Sequence, residues 1–225
     1  SFSKFLHYFG TPCKVLSKEA SVMVIRKILG EKSLNCFKTY QVGVSQNIYD
    51  SIALLKSAKI GVDDVDFASK TTDGVLKSKL CDLKDMYMGY EEFLSTGYTD
   101  QSGMLSNIPD ILDTFNLKNT DVYLVGFDSW TAQARAIVEK LILKSKSVTA
   151  VLVGGDNKSI YTNETLEAFL SICATNKISV SYGDGIVKSN KESSAILDGL
   201  YSEKAFTSVP IKSDKVHLFE AKSIK

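Results

Sequence analysis

The chain has 225 residues, of which 44% are hydrophobic and 24% are charged, and its formal net charge is +1. This composition is that of a globular protein with a sizeable core, and it excludes a disordered chain. The balanced charge gives no overall sign of nucleic-acid binding. The chain has only two arginines, Arg26 and Arg135, which disfavours bidentate recognition of phosphates or bases.

The cysteines and histidines give no metal-binding spacing. The two histidines are His7 and His217, and no CxxC pair is present. The four cysteines are Cys13, Cys36, Cys81 and Cys173. We expect each of them to pack as a small hydrophobic residue. Because the sequence shows no signal peptide, no lipidation motif and no apolar run near about 18 residues, we expect a cytoplasmic protein without a membrane partner.

The first half of the sequence predicts a series of amphipathic helices. Apolar residues recur at helical spacing within 1–10, 18–32, 47–60, 62–71, 74–96 and 101–117. Pro109 is expected to interrupt the last of them. Asp63, Asp64 and Asp66 indicate a solvated, acidic helix start rather than a metal loop, because no glycine-and-glutamate pattern follows them. Residues 1–117 should therefore form a mainly helical subdomain.

Two tyrosines lie in the second half of the longest predicted helix and a third lies just beyond its end. Tyr87, Tyr90 and Tyr98 have the aromatic rings that could stack on nucleobases. Such a stripe more often belongs to the hydrophobic core, with the hydroxyl groups at its rim. Both interpretations remain open at this point.

The second half predicts a βαβ unit. Apolar runs from Val122 to Val125 and from Val148 to Val153 flank a helical pattern from Ala134 to Ile142. Such strands should be parallel and buried on both faces. Polar loops follow both strands, Gly126–Gln133 and Gly154–Tyr161, where open α/β sheets place their ligands.

The α/β alternation continues to the end of the sequence. It predicts a helix over 162–175, a strand over 177–183, a helix over 191–201, a short strand over 206–210 and a last strand over 215–221. The sequence starts without methionine and ends within an apparent element. We therefore interpret it as part of a longer protein.

The stretch VGGDNKSIY resembles the third helicase motif of superfamily 1 DNA helicases, commonly VGDxxQSIYxFRG. The resemblance is carried by Gly154, Gly155, Asp156, Lys158 and Tyr161. Lys158 replaces the glutamine that senses the γ-phosphate, and it would meet a DNA phosphate instead. The resemblance places Tyr161 beside the DNA path, where it would stack on a base. A buried or capping tyrosine is the alternative.

One βα unit upstream, the stretch LVGFDSWTAQ ends at Gln133 and holds the place of the Walker B motif. The two acidic positions of that motif fall on Val125 and Gly126. This GF-aromatic-T-x-Q pattern is similar to that of the AddB/RexB family, the B component of the bacterial AddAB-type helicase–nuclease. Asp128 and Asp156 could bind Mg²⁺, although a loop aspartate is more typical of a helix cap or a turn.

The start of the chain carries a further part of the resemblance. SFSKFL resembles the SFxRLA of AddB proteins, where Ser1 and Ser3 would match DNA-contacting positions and Phe2 between them is a further candidate for DNA contact. An N-capped amphipathic helix explains the same residues without DNA. The segment KLCDLKDMYMGYEEFL, followed by Tyr98-Thr99-Asp100, resembles the family pattern KLxDLxxIYxxYxxxL followed by Y-x-D. The segment KVHLFEAKS resembles the strand IxLxxAxN that closes the domain in the family.

The resemblance implies an α/β fold: a RecA-like, P-loop-type parallel sheet (part of helicase domain 1A) over 118–225, and a helical 1B-like subdomain over 1–117. The sequence has no GxxxxGK[ST] loop, so we assign no catalytic residue and no cofactor, and expect ATP and Mg²⁺ only in the full-length complex. The implied partners are DNA, single-stranded or at a duplex end, and the AddA-type motor and nuclease component.

The implied function is a non-catalytic, helicase-like domain that guides DNA and docks the motor component while double-strand breaks are processed for recombinational repair. Two alternatives stay open. One is a piece of an active ATP-dependent helicase. The other is a protein-interaction scaffold that does not contact DNA.

Overall fold

A computed structural model describes Phe2 and residues 14–37, 43–152 and 164–183. Among these residues the elements in chain order are β1 (Lys14–Val15), α1 (Lys18–Glu31), α2 (Val44–Ser57), α3 (Val62–Lys70), α4 (Gly74–Leu94), β2 (Tyr98–Thr99), α5 (Gln101–Asp113), β3 (Asp121–Val125), α6 (Ala132–Lys144), β4 (Ser147–Val151) and α7 (Glu164–Thr175). The described chain is thus an α/β protein in which helices predominate. No helix within it is long and apolar enough to cross a bilayer.

The chain divides into two compact units. Unit 1 comprises Ser1–Val122 and Trp130–Thr149, and unit 2 comprises Tyr123–Ser129 and Ala150–Lys225. Strands β3 and β4 are hydrogen-bonded neighbours in a two-stranded sheet.

The core of unit 1 is built by the apolar stripes of α1, α2 and α4, together with Val65 of α3. The buried residues of this core are Ile25, Ile28, Leu29, Ile48, Tyr49, Ile52, Val65, Met86, Tyr87, Tyr90 and Leu94. They recur at three and four residues, so the predicted helical periods are confirmed. The exceptions are Ile60 and Leu76, which were expected in the stripes but are 37% and 55% exposed, because each lies at or beyond the end of its helix.

Tyr87 and Tyr90 belong to this core. Their exposed fractions are 4% and 0%. The Tyr87 hydroxyl donates to the carbonyl of Ile60 at 3.2 Å, and Tyr98 stacks on Phe93 with ring centroids 5.4 Å apart. The core interpretation is therefore confirmed for Tyr87 and Tyr90, because a ring buried among side chains offers no face to a base.

A short parallel pair, β1 with β2, was not predicted from the sequence. Lys14 pairs with Tyr98 and Val15 with Thr99, and the Leu16 amide donates to the Thr99 carbonyl at 2.8 Å. The pair fixes the segment before α1 against the segment after α4. Two-residue strands carry too little periodicity to be recognised from sequence.

Helix α5 continues through Pro109, so the predicted interruption is wrong. Proline removes one amide donor and crowds the preceding turn. The neighbouring Ile108 and Leu112 are both 0% exposed, and we infer that their burial offsets this cost. The helix ends at Asp113 and does not reach residue 117.

The predicted strand–helix–strand unit is confirmed as β3, α6 and β4, but its expected burial on both faces is wrong. Exposure alternates along both strands. Tyr123, Val125 and Val151 are 70%, 62% and 57% exposed, whereas Leu124 is 4% exposed. A strand is buried on both faces only where other elements cover both, and alternation is the pattern of a strand covered on one face.

The strand predicted over 177–183 is also wrong, because these residues form no strand. Lys177 and Ile178 donate their amides to the carbonyls of Ala174 and Cys173. These bonds close the end of α7, and Lys177 takes a left-handed conformation with φ of 55°. The first two backbone amides of this segment are thus hydrogen-bonded to carbonyl groups at the end of α7. Elements predicted over 1–10, 191–201, 206–210 and 215–221 lie outside the described residues, apart from Phe2, which is helical and half-buried.

The acidic start of α3 is confirmed as a solvated helix start. The Asp64 carboxylate accepts the Gly61 amide at 2.8 Å, which satisfies a donor just before the helix. Asp66 pairs with Lys70 one turn on. These carboxylates therefore serve the helix.

Of the described cysteines, Cys173 is 3% exposed and packs in α7, whereas Cys36 and Cys81 are half-buried. Burial raises the pKa of the Cys173 thiol above its ordinary value, as expected of a packed, unreactive thiol. Cys13 lies outside the described residues.

Candidate functional site

The end of β3 is the first candidate site. The strand ends at Val125, which is 62% exposed, and Gly126 then turns the chain with φ of 77°. A left-handed conformation strains any residue that carries a Cβ, which accounts for glycine here. The two positions that would hold the acidic pair of a Walker B strand thus carry no carboxylate, and a side chain at position 126 would strain the turn.

The loop after Gly126 is tied to α7 within unit 2. The Thr165 hydroxyl, on a residue that is 3% exposed, donates to the Asp128 carbonyl at 2.5 Å. Asp128 itself lies exposed in a bend. The cap of α6 falls three residues later, where the Thr131 hydroxyl accepts the Ala134 amide at 3.3 Å. The contribution of Asp128 to the fold is therefore its backbone carbonyl, which accepts the hydrogen bond from Thr165.

Gln133 is 2% exposed and faces α5 within unit 1. Its amide nitrogen donates to the Ser102 carbonyl at 3.0 Å and to the Ser106 hydroxyl at 2.7 Å. At the other end of the same pair of helices, Lys140 and Lys144 contact the Asp113 carboxylate. Gln133 thus aligns the first turns of two helices that run in the same direction.

The remaining predicted site residues lie outside the described residues. They are Ser1, Ser3, Gly154, Gly155, Asp156, Lys158 and Tyr161. Their assignment to DNA contact or to the third helicase motif stays a prediction. Phe2, predicted beside them as a DNA-contact residue, is half-buried.

Sequence reasoning missed a buried charge cluster in unit 1. The Lys56 ammonium lies 3.1 Å from the Asp100 carboxylate and 2.7 Å from that of Glu91, and 5.6 Å from the centroid of the Tyr90 ring. The side chains of Lys56 and Asp100 are 8% and 1% exposed, whereas that of Glu91 is 44% exposed. Asp100 also caps α5, because its other oxygen accepts the Gly103 amide at 2.6 Å.

An open cavity of about 500 Å³ lies beside this cluster. Its lining includes Lys56, Glu91, Tyr87 and Thr99. Burial, followed by the nearby Glu91 and Asp100 charges, raises the pKa of Tyr87 to about 12. Because the ammonium is already paired with two carboxylates, the cluster offers no unpaired cation to a ligand.

A second buried carboxylate was also missed. Asp82 is 1% exposed and accepts the backbone amides of Asn35, Cys36 and Phe37 at 3.0, 2.6 and 3.2 Å. It therefore anchors the segment that follows α1 to the middle of α4. Asp82 and Asp100 lie in the segments KLCDLKDMYMGYEEFL and Tyr98-Thr99-Asp100, which resemble the AddB pattern. That resemblance could have identified both carboxylates.

These polar groups organise packing. Within the described ranges, no three side chains of His, Cys, Asp and Glu gather where they could hold a metal ion. The polar residues brought together in unit 1 join helices, cap them and anchor a loop. The class defined by this structure is a helix-rich α/β domain in which the described polar clusters stabilise the fold.

The sequence model of the family described as "ADDB, N-terminal" matches residues 5–187. This match covers most of the chain, and the chain belongs to that family. The expected resemblance to AddB is thereby confirmed.

Curated relatives agree with this assignment, and each is named as the B component of an ATP-dependent helicase/deoxyribonuclease. The chain is 26% identical over 211 residues to the Listeria innocua protein, and the alignment covers 86% of this chain and 18% of the relative. It is 25% identical over 226 residues to the protein of the same name from Listeria welshimeri, covering 92% and 19%. For the Lachnoclostridium phytofermentans protein the identity is 25% over 159 residues, covering 68% and 14%. The chain therefore spans less than a fifth of the length of these relatives.

Proposed function

We propose that this chain is a non-catalytic, helicase-like region of the B component of a helicase–nuclease. It guides an unwound DNA strand and docks the AddA-type motor and nuclease component during end processing for recombinational repair in the cytoplasm. In this proposal residues 118–225 form part of a RecA-like domain and residues 1–117 a 1B-like subdomain. The family membership and the names of the relatives support it.

One observation carries the non-catalytic part of the proposal. ATP hydrolysis in this architecture needs a Mg²⁺-binding acidic pair at the end of the Walker B strand. Here that strand end carries Val125 and then Gly126 in a left-handed turn. A glutamate at position 126 would have to adopt a backbone conformation that costs about 1 kcal/mol or more. The turn therefore argues against a carboxylate at this position.

The proposal assigns the DNA contact to Lys158 and Tyr161, and to Ser1, Phe2 and Ser3. Tyr161 would stack on a base and Lys158 would neutralise a phosphate. These assignments rest on the resemblance of the sequence to helicase motifs.

Fluorescence anisotropy with a labelled single-stranded oligonucleotide tests the proposal. The chain should bind with an affinity that falls as salt rises, and ATP with Mg²⁺ should leave that affinity unchanged. Lys158→Ala should weaken binding and flatten the salt dependence, whereas the exposed Lys118→Ala serves as the matched control. ATP hydrolysis by the chain would contradict the non-catalytic assignment, and failure to bind any DNA would favour a protein-interaction scaffold.

A further inference from the structure

The end of the α3–α4 hairpin is largely exposed to solvent. The two helices run antiparallel, as the contacts of Lys84 with Asp66 and of Tyr87 with Ile60 show. The buried positions of α4 begin only at Asp82. Before that point residues 74–77 and 79 are all exposed. The first two turns of α4 and the last turn of α3 therefore form a tip, residues 67–79, in which Ser69 is buried and most other side chains are exposed.

The tip is held in one conformation. The Thr71 amide donates to the Phe67 and Ala68 carbonyls at 3.2 and 3.3 Å. The Thr72 hydroxyl also donates to the Ala68 carbonyl, at 2.8 Å. These bonds satisfy the carbonyl groups at the end of α3, so the tip is an ordered surface.

The tip exposes three large apolar side chains to solvent. Phe67, Val75 and Leu76 are 68%, 69% and 55% exposed. Single exposed apolar residues are common, but three within one short segment indicate a contact surface. Phe67 supplies an aromatic face.

The same tip is basic. Residues 67–79 contain three lysines, Lys70, Lys77 and Lys79, and one acid, Asp73, which gives a net charge of +2. Lys70 pairs with Asp66 at 2.5 Å. Lys77 and Lys79 are exposed and make no ion pair with the described residues. Their charge is therefore available to an anionic partner.

We propose that this tip is a contact site for single-stranded DNA, in which Phe67 stacks on a base and Lys77 and Lys79 neutralise phosphates. An exposed aromatic ring and exposed lysines at the end of one short hairpin are the elements that bind single strands without sequence preference. A continuous duplex hides its base faces and would gain only the charge contacts. The proposal rests on the proposed DNA-guiding function, and it adds a contact site separate from Lys158 and Tyr161.

The test measures the affinity of the chain for labelled oligothymidylate and for a closed circular duplex over a series of salt concentrations. Lys77→Glu/Lys79→Glu should weaken oligothymidylate binding at least roughly tenfold, and should lower the slope of log affinity against log salt by about 1.4, which corresponds to two phosphate contacts. Phe67→Ala should weaken oligothymidylate binding by roughly fivefold or more and leave the slope unchanged. Its effect on circular duplex should be negligible.

Matched controls separate the tip from bulk charge and general aromatic loss. Lys27→Glu/Lys118→Glu makes the same change in net charge at exposed lysines elsewhere, and Tyr182→Ala removes an aromatic side chain that is 77% exposed. Both controls should bind nearly as the parent chain does. All replaced side chains are largely exposed, so circular dichroism should show that every variant folds.

Three results would overturn the inference. The tip variants could bind DNA as the parent does, which leaves the proposed function standing and removes only the tip. The control variants could lose as much affinity as the tip variants, which would assign the effect to bulk charge. The parent chain could fail to bind DNA at all, which would also contradict the proposed function.

Discussion

Replacing Lys56 with methionine should cause a large loss of stability. The substitution leaves the Asp100 carboxylate 1% exposed and without its cation. At the observed 3.1 Å, the attraction in a medium of effective dielectric constant near 20 is about 5 kcal/mol before desolvation. Removing one partner of a buried pair typically costs about 3–5 kcal/mol, because the remaining charge is uncompensated. We expect Lys56→Met to lower the free energy of unfolding of unit 1 by about 3–5 kcal/mol.

Removing the charge of Asp100 should cost more stability than removing the charge of Glu91, although Glu91 lies closer to Lys56. Glu91 makes the shorter contact, 2.7 Å, but its side chain is 44% exposed. Glu91→Gln should therefore cost less than about 1 kcal/mol. Asp100→Asn keeps a capping oxygen for α5 but removes a buried charge, and should cost about 2 kcal/mol or more.

Urea unfolding followed by the fluorescence of Trp130 measures these differences. Trp130 is the single tryptophan, is 5% exposed and lies in the same unit as Lys56. Lys56→Met/Asp100→Asn should lose less than the sum of the single variants, because the double variant has no unpaired buried charge. Lys27→Met is the exposed control, expected within about 0.5 kcal/mol of the parent. If Glu91→Gln cost as much as Asp100→Asn, the argument from burial would be refuted.

Three further predictions concern unit 1. Asp82→Ala should lower the free energy of unfolding by about 3 kcal/mol and Asp82→Asn by less, because the alanine leaves three amides without their acceptor; equal losses in urea unfolding would count against this. Gly103→Ala places a Cβ 2.8 Å from the Thr99 hydroxyl and should cost about 1–3 kcal/mol, whereas Gly30→Ala, with no atom within 4 Å, should be neutral or stabilising in the same assay. Burial raises the pKa of Tyr87 from 10.0 to about 12, so the native state keeps a proton that the unfolded state loses. The stability that Tyr87 contributes should be fully present below about pH 10 and should fall towards pH 12. A urea midpoint unchanged between about pH 9 and pH 11 would contradict this prediction.

Local patterns in the sequence determined much of the fold. The helices α1 to α7 and the strands β3 and β4 were all predicted, because each buries a stripe of regular period or ends at a glycine or a cap. The sequence also showed that Val125 and Gly126 replace an acidic pair, since that statement needs only residue identities. The strand predicted over 177–183 failed because its first amides close the end of α7, a competition that apolar alternation does not reveal.

Only the tertiary structure decided which polar residues meet. Lys56 and Asp100 are 44 residues apart, and Asp82 and Asn35 are 47 apart, so no local pattern pairs them. Asp82 and Asp100 carried no local sign of burial in the sequence, yet both are buried, because distant amides and an ammonium compensate them. The exposure of the α3–α4 tip was equally hidden, since the helical period of α4 continues beyond the core that it was expected to cover. Periodicity shows which face of an element is apolar, and only packing shows whether anything covers that face.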